Sequence, residues 1–214
     1  MPPLENLLLI TVVSYLIGSF PTAYLAGRLN NINIFEAGSG NMGAANTFRV
    51  LGVKWGALVW MIDILKGVLA VLIARALLYP HPGWGVWGNV IGGLIVIVGH
   101  NWSFFAALLT GRLQGGKGAA TWWGAFLMMV PGYVVAGVAL TFAGIIALTR
   151  YVSLGVLCAI AVGALWVLIL SGQGQMASVY AIYVVLTGLI VTFRHRSNIE
   201  RLLAGKERRL GEGA

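Results

Sequence analysis

The sequence predicts an all-α integral membrane protein, a compact polytopic bundle of about seven transmembrane helices, some short, with glycine-rich cytoplasmic loops. Three observations carry this prediction. The chain is 59% hydrophobic and only 9% charged, with a mean hydropathy of +0.88. A soluble domain would carry roughly a quarter charged residues. Apolar runs near 4–27, 53–79, 84–109, 119–149, 151–171 and 176–193 each approach the length of a bilayer crossing. Glycine, at 30 residues, favours close helix packing in lipid. Neither an internal repeat nor a soluble appendage is evident, so 1–214 reads as a single membrane-embedded domain.

Each element follows in order. "MPPLENLLLITVVSYLIGSF" lacks a basic leader region and a small-x-small cleavage site and carries Glu5. It reads as a retained first helix with its N-terminus outside. Residues 28–52 form a polar loop, and "YPHPG" at 79–83 divides the next two runs. Within 84–109, "GHNWSF" at 99–104 closes the spanning part and "AALLTGR" turns back along the interface. The tail from Arg194 holds six of the 14 basic residues, which places it in the cytoplasm. Arg150 anchors the same side. Parity then requires the 31 residues of 119–149 to cross twice, as helices 119–130 and 133–149 broken at Pro131-Gly132. Segments 28–52, 111–118 and 194–214 then share the cytoplasmic face. The alternative is six crossings, with Pro131 kinking one long helix.

A formal charge of +8 points to anionic substrates or lipids, because no basic-aromatic nucleic-acid module is present. Cys158 is the only cysteine, so no intrachain disulfide forms. Three scattered histidines give no metal site, and no cofactor is implied. Asp63 is the only aspartate, which excludes both a carboxylate pair of aspartates and the His-x4-Asp motif of the familiar glycerolipid acyltransferases. His195-x4-Glu200 is its nearest approximation.

Two polar segments carry chemistry. In "EAGSGNMGAANTFRVLG" (36–52), Gly38, Gly40 and Gly43 permit close backbone approach, and Ser39, Asn41, Asn46 and Thr47 offer side-chain donors. Arg49 adds a planar cationic fork suited to phosphate. Taken alone, the stretch favours a flexible cytoplasmic loop with helix caps. In "QGGKGAAT" (114–121), Lys117 sits among Gly115, Gly116 and Gly118 just before an apolar helix, a phosphate-binding arrangement. It lacks the spacing and the Lys-Ser/Thr of a nucleotide loop. Two such cradles on one membrane face point to phosphate. Asp63 and Lys66, three residues apart, share a helix face; Lys66 is either a further phosphate ligand or half of a structural ion pair. His195, with Asn198 at i+3 and Glu200 nearby to orient its ring, is the candidate base. Ser153 at a helix start offers a hydroxyl; His81 is assigned nothing, and His100 follows Gly99 at a helix end, a position open to a structural role.

In order, "GSF-P" (18–21), "GSGNMGAANTFRVLG" (38–52), "DILKG" (63–67), "GH" (99–100), "GGKGAAT" (115–121), "RYVSL" (150–154) and "HRSNIERLLAGKE" (195–207) resemble the bacterial acyl-phosphate:glycerol-3-phosphate acyltransferases, the PlsY family. The resemblance covers nearly the whole chain. It implies a multi-pass enzyme of the bacterial cytoplasmic membrane that moves an acyl group from acyl phosphate to glycerol 3-phosphate, yielding 1-acylglycerol 3-phosphate and phosphate. It further implies a soluble enzyme as the source of acyl phosphate. Ser39, Gly40, Asn41, Thr47, Arg49, Lys66, Gly115, Gly116, Lys117 and Gly118 would hold phosphate. His195 and Asn198 would position the acceptor or take its proton, and backbone amides or Ser153 would stabilise the oxyanion. One departure is the segment 101–114, longer than the family's and without its proline, which leaves the role of His100 open. A transporter of a phosphate-containing solute is the rival reading, and it predicts matching polar breaks in two halves, which are not evident. An intramembrane serine protease needs a serine within a helix at the bilayer midplane, whereas Ser39 lies in a polar stretch.

Overall fold

The computed structural model describes residues 1–212. Among them the helices are α1 (Leu4–Ser19), α2 (Thr22–Leu29), α3 (Ala44–Leu78), α4 (Gly85–Asn101), α5 (Phe104–Thr110), α6 (Ala119–Leu127), α7 (Gly132–Thr149), α8 (Val152–Gly172), α9 (Val179–Arg194) and α10 (Arg196–Leu203). No strand is formed among the described residues, and the class is the expected all-α integral membrane protein. The chain divides into two compact units, Met1–Met128 and Met129–Glu212.

In the first unit α3 is central, packed by α1, α2, α4 and α6. The helices are patterned for lipid. α1 buries Ile10, Ser14, Gly18 and Ser19 while exposing Leu8, Leu9, Val12 and Leu16. Small and polar residues therefore face the bundle, and large apolar ones face outward. Gly18 sits directly on the Val96 carbonyl of α4, and Gly99 of α4 on the Tyr15 carbonyl, so these two backbones touch.

The apolar run 4–27 is not one helix. Pro21 cannot donate a backbone hydrogen bond and disfavours helical geometry at Phe20, which takes φ −55°, ψ 120°. The Phe20 carbonyl left at this break accepts a hydrogen bond from Lys66 Nζ at 2.6 Å. Gly52 (φ +81°, ψ −178°) interrupts α3, so the long apolar part starts where the sequence placed it, at residue 53. The expected loop 28–52, however, ends at Gly43, because residues 44–51 already form a short helix before that break.

α6 has nine residues. At about 1.5 Å per residue it covers roughly half of a ~30 Å hydrocarbon core. A helix that ends within hydrocarbon needs polar partners for its last carbonyls. Arg75 Nη2 donates to the Met128 carbonyl at 2.6 Å, and Arg75 Nε donates to Asn89 Oδ1 at 2.8 Å.

The second unit begins with Pro131 as the N-terminal cap of α7 (φ −60°, ψ 149°), so the 119–149 run is two helices and not one kinked helix. Their bounds fall a few residues from the expected 119–130 and 133–149. α8 packs between α7 and α9 within this unit, and α10 touches α8 and α9. Four stretches, Leu4–Leu29, Ala44–Leu78, Gly132–Thr149 and Val152–Gly172, are long and apolar enough to cross a membrane, and α4 and α9 are shorter apolar helices.

Candidate active site

In the first unit the glycine-rich stretch is organised by Asn46. Its Oδ1 accepts the Ser39 amide at 2.7 Å, and its Nδ2 donates to the carbonyls of Ile34 (3.2 Å) and Ala37 (3.1 Å). The loop stands on an apolar floor of Ala23, Ala26, Ile34, Met42, Val59 and Ala106. Ser39 at its tip is exposed, and Asn41 and Arg49 are half-buried. Two expected donors have other tasks. The buried Asn46 amide holds the loop itself, and Thr47, fully buried, donates its hydroxyl proton to the Gly43 carbonyl at 3.1 Å.

The second loop, Gly115–Gly118, lies against the end of α4. The Gly116 amide donates to the His100 carbonyl at 3.0 Å. A side chain at Gly115 would strike the His100 carbonyl, and one at Gly116 would strike the His100 ring and come within 2.8 Å of the Met42 carbonyl. The two glycine-rich segments therefore touch, at Met42 and Gly116, as their expected placement on one face requires. Gly118 (φ +81°) turns the chain into α6, whose first turn has no side-chain cap. Its leading amides thus point away from the helix, an arrangement that favours an anion. Lys117 is half-buried on this loop.

Lys66 does not join that set. It is 4% exposed and bonds Asp63 Oδ1 at 2.6 Å as well as Phe20 O. Of the two readings of "DILKG", the ion pair is the one realised. Thr22 Oγ1 donates to the same Asp63 oxygen at 3.2 Å, and His100 Nδ1 lies 3.9 Å from it.

The second unit holds His195, Asn198 and Ser153, all buried. The His195 ring Nδ1 lies 2.8 Å from the Val191 carbonyl. A carbonyl only accepts, so Nδ1 carries a proton and Nε2 is the basic nitrogen of the neutral ring. The carbonyl of Val191, not Glu200, thus orients Nδ1. The carboxylate at the centre is Glu207, which sequence reasoning missed although "GKE" closes the last motif. Its Oε1 accepts Ser153 Oγ (2.9 Å) and Asn198 Nδ2 (2.6 Å), and its Oε2 accepts Arg201 Nε (2.7 Å). Burial would raise the Glu207 proton affinity, but hydrogen bonds from Asn198, Ser153 and Arg201, and the Arg201 charge, hold it below the usual carboxylate range. The Ser153 hydroxyl proton is engaged there. Arg150, in left-handed geometry (φ +63°), donates through Nη2 to the Leu210 carbonyl at 2.7 Å and clamps the tail. Among the described residues no three His, Cys, Asp or Glu side chains cluster as metal ligands.

Residues 8–205 match the family model described as Glycerol-3-phosphate acyltransferase. The chain belongs to that family. It is 40% identical over 209 residues, 95% of each chain, to the glycerol-3-phosphate acyltransferase of Halalkalibacterium halodurans. Identity with glycerol-3-phosphate acyltransferase 2 of Moorella thermoacetica is 42%, covering 96% of this chain and 98% of that one. Among solved structures, it superposes on the glycerol 3-phosphate form of PlsY, an integral membrane glycerol 3-phosphate acyltransferase, with a TM-score of 0.82 and 34% identity over 96% of each chain. The lysophosphatidic acid form of PlsY gives a TM-score of 0.79 at 34% identity, over 96% of this chain and 95% of that one. This glycerol-3-phosphate acyltransferase family member is a multi-pass membrane acyltransferase, and the family match runs through both of its units.

Proposed function

We propose that the chain transfers a fatty acyl group from acyl phosphate to the 1-hydroxyl of glycerol 3-phosphate. The reaction forms a new ester C–O bond and breaks the bond between the acyl carbon and the bridging phosphate oxygen, so inorganic phosphate leaves with that oxygen and the electron pair. Family membership and the PlsY forms with glycerol 3-phosphate and lysophosphatidic acid support the acceptor and the product. The observation that carries the site is the junction of two glycine-rich loops at Met42 and Gly116, with Lys117 and the α6 amides beside it. Acyl phosphate is a mixed anhydride, so the acceptor hydroxyl attacks it directly and no acyl-enzyme is required.

In this reading Ser39, Gly40, Asn41 and Arg49, with Gly115, Gly116, Lys117 and Gly118, hold and neutralise phosphate. Thr47 and Lys66 leave the set because their polar atoms are engaged within the fold. The α6 amides stabilise the oxyanion. His195, basic at Nε2, and Asn198 position glycerol 3-phosphate; either His195 or the departing phosphate takes the hydroxyl proton. Positioning and charge neutralisation supply most of the rate. The whole chain is one acyltransferase domain in the bacterial cytoplasmic membrane, with its N-terminus outside, its C-terminus and reactive face cytoplasmic, and a soluble enzyme as its source of acyl phosphate.

The test is phosphate release by purified protein in lipid given palmitoyl phosphate and glycerol 3-phosphate. Lys117→Ala should lower kcat/KM by ~10³-fold, about 4 kcal/mol, with an unchanged melting temperature. A fully active Lys117→Ala, or no release from folded wild-type protein, overturns the proposal.

A further inference from the structure

His100 is the one histidine of the first unit's polar core, and the Gly115–Gly118 loop is built against it. A glycine loop has no side chains to hold its own shape and loses the most freedom on ordering. Its order must come from the wall around it. Here the wall is His100 on several sides: its carbonyl accepts the Gly116 amide at 3.0 Å, its ring Nε2 fills the space a Gly116 side chain would take, and its carbonyl closes the space beside Gly115. His100 is only 3% exposed. The other face of the ring turns to Asp63, with Nδ1 3.9 Å from Oδ1. Asp63 is itself fixed by Lys66 (2.6 Å) and Thr22 (3.2 Å), and Lys66 by the Phe20 carbonyl at the α1–α2 break. A polar cluster thus runs from that break, through α3, to within 3.9 Å of the His100 ring.

We propose that His100 is the positioning residue of the Gly115–Gly118 loop, setting Lys117 and the α6 amides that follow it for a substrate phosphate. This rests on the reading of that loop as a phosphate site. A disordered loop binds the substrate more weakly before and during reaction, which raises KM more than it lowers kcat.

Steady-state kinetics of the full chain in lipid, varying palmitoyl phosphate and glycerol 3-phosphate separately, test this. His100→Ala should raise one KM by ~10-fold or more and change kcat by less than ~3-fold. His100→Gln, whose amide reaches toward the Nε2 position, should return that KM to within ~3-fold of wild type. Should the Ala variant fail to fold, His100→Gln and His100→Asn decide: a KM raised only in Asn supports the role of Nε2. Wild-type KM values in His100→Ala overturn the proposal, as does equal loss in all variants tracking a lowered melting temperature. An active Lys117→Ala would instead overturn the phosphate-loop reading, leaving the His100 kinetics as a separate result.

Discussion

The two polar regions of this molecule treat negative charge in opposite ways. In Met1–Met128, two glycine-rich loops lie beside the half-buried Arg49 and Lys117 and lead to the uncapped start of α6, and the loop-shaping carboxamide of Asn46 is turned inward. In Met129–Glu212, the donors of Ser153, Asn198 and Arg201 already surround a carboxylate of the chain, Glu207. Donors bonded to Glu207 are spent on an anion of the chain, whereas amides at a helix start are suited to an incoming one. The same division separates two lysines of the first unit, each followed by glycine. Lys66 is buried on Asp63, while Lys117 sits half-buried on a loop.

The largest effect that separates these roles comes from Lys66→Ala. It leaves the Asp63 carboxylate, 2% exposed, without its ammonium partner and the Phe20 carbonyl without its donor. Breaking a buried pair from one side destabilises by about 3–5 kcal/mol. The expected outcome is a strongly lowered melting temperature or loss of folded protein, in contrast to the fold-neutral Lys117→Ala. A Lys66→Ala protein of wild-type melting temperature and no activity would return Lys66 to the phosphate set.

Much of this was legible in the sequence, and the gaps have physical reasons. Hydropathy located the apolar runs, and Pro131-Gly132 correctly split the longest. Pro21 carries the same signal but lies within an uninterrupted apolar run, so its break was passed over. The grouping of 28–52 with 111–118 followed from charge parity and is realised at Met42 and Gly116. Which polar groups face inward is set by tertiary contacts that spacing does not reveal. Thr47 bonds its own first turn, and Asn46 reaches back to Ile34 and Ala37. Glu207 was overlooked because its partner Ser153 is 54 positions away, and Glu200 stood closer to His195 in sequence.

An intermediate effect tests the donors bonded to Glu207. The Glu207 side chain is 7% exposed and holds its proton less tightly than an ordinary carboxyl. A group whose folded pKa lies below its unfolded one adds stability above the ordinary carboxylate range, and loses it as pH falls through the lowered value. Wild-type melting temperature should therefore drop on acidification through that range. Glu207→Gln should be about 1–3 kcal/mol less stable at neutral pH, since charge-assisted bonds are lost, and its acid dependence should be flatter. An unchanged acid profile would mean that Glu207 does not anchor this region.

The smallest effect sharpens the comparison most. If the Ser153 hydroxyl served the transition state, Ser153→Ala would lower kcat by about 10²–10³-fold, as loss of an oxyanion donor does. Its proton instead lies on Glu207 at 2.9 Å. Deleting one of three donors to a carboxylate that keeps Asn198 and Arg201 removes a single net hydrogen bond, about 1 kcal/mol. The expected result is a small fall in melting temperature and a kcat within ~3-fold of wild type, with phosphate release as the readout. A hundredfold loss of kcat at unchanged melting temperature would move Ser153 into contact with the reacting groups. Ser153 would then join His195 and Asn198 as a residue of the second region that handles substrate.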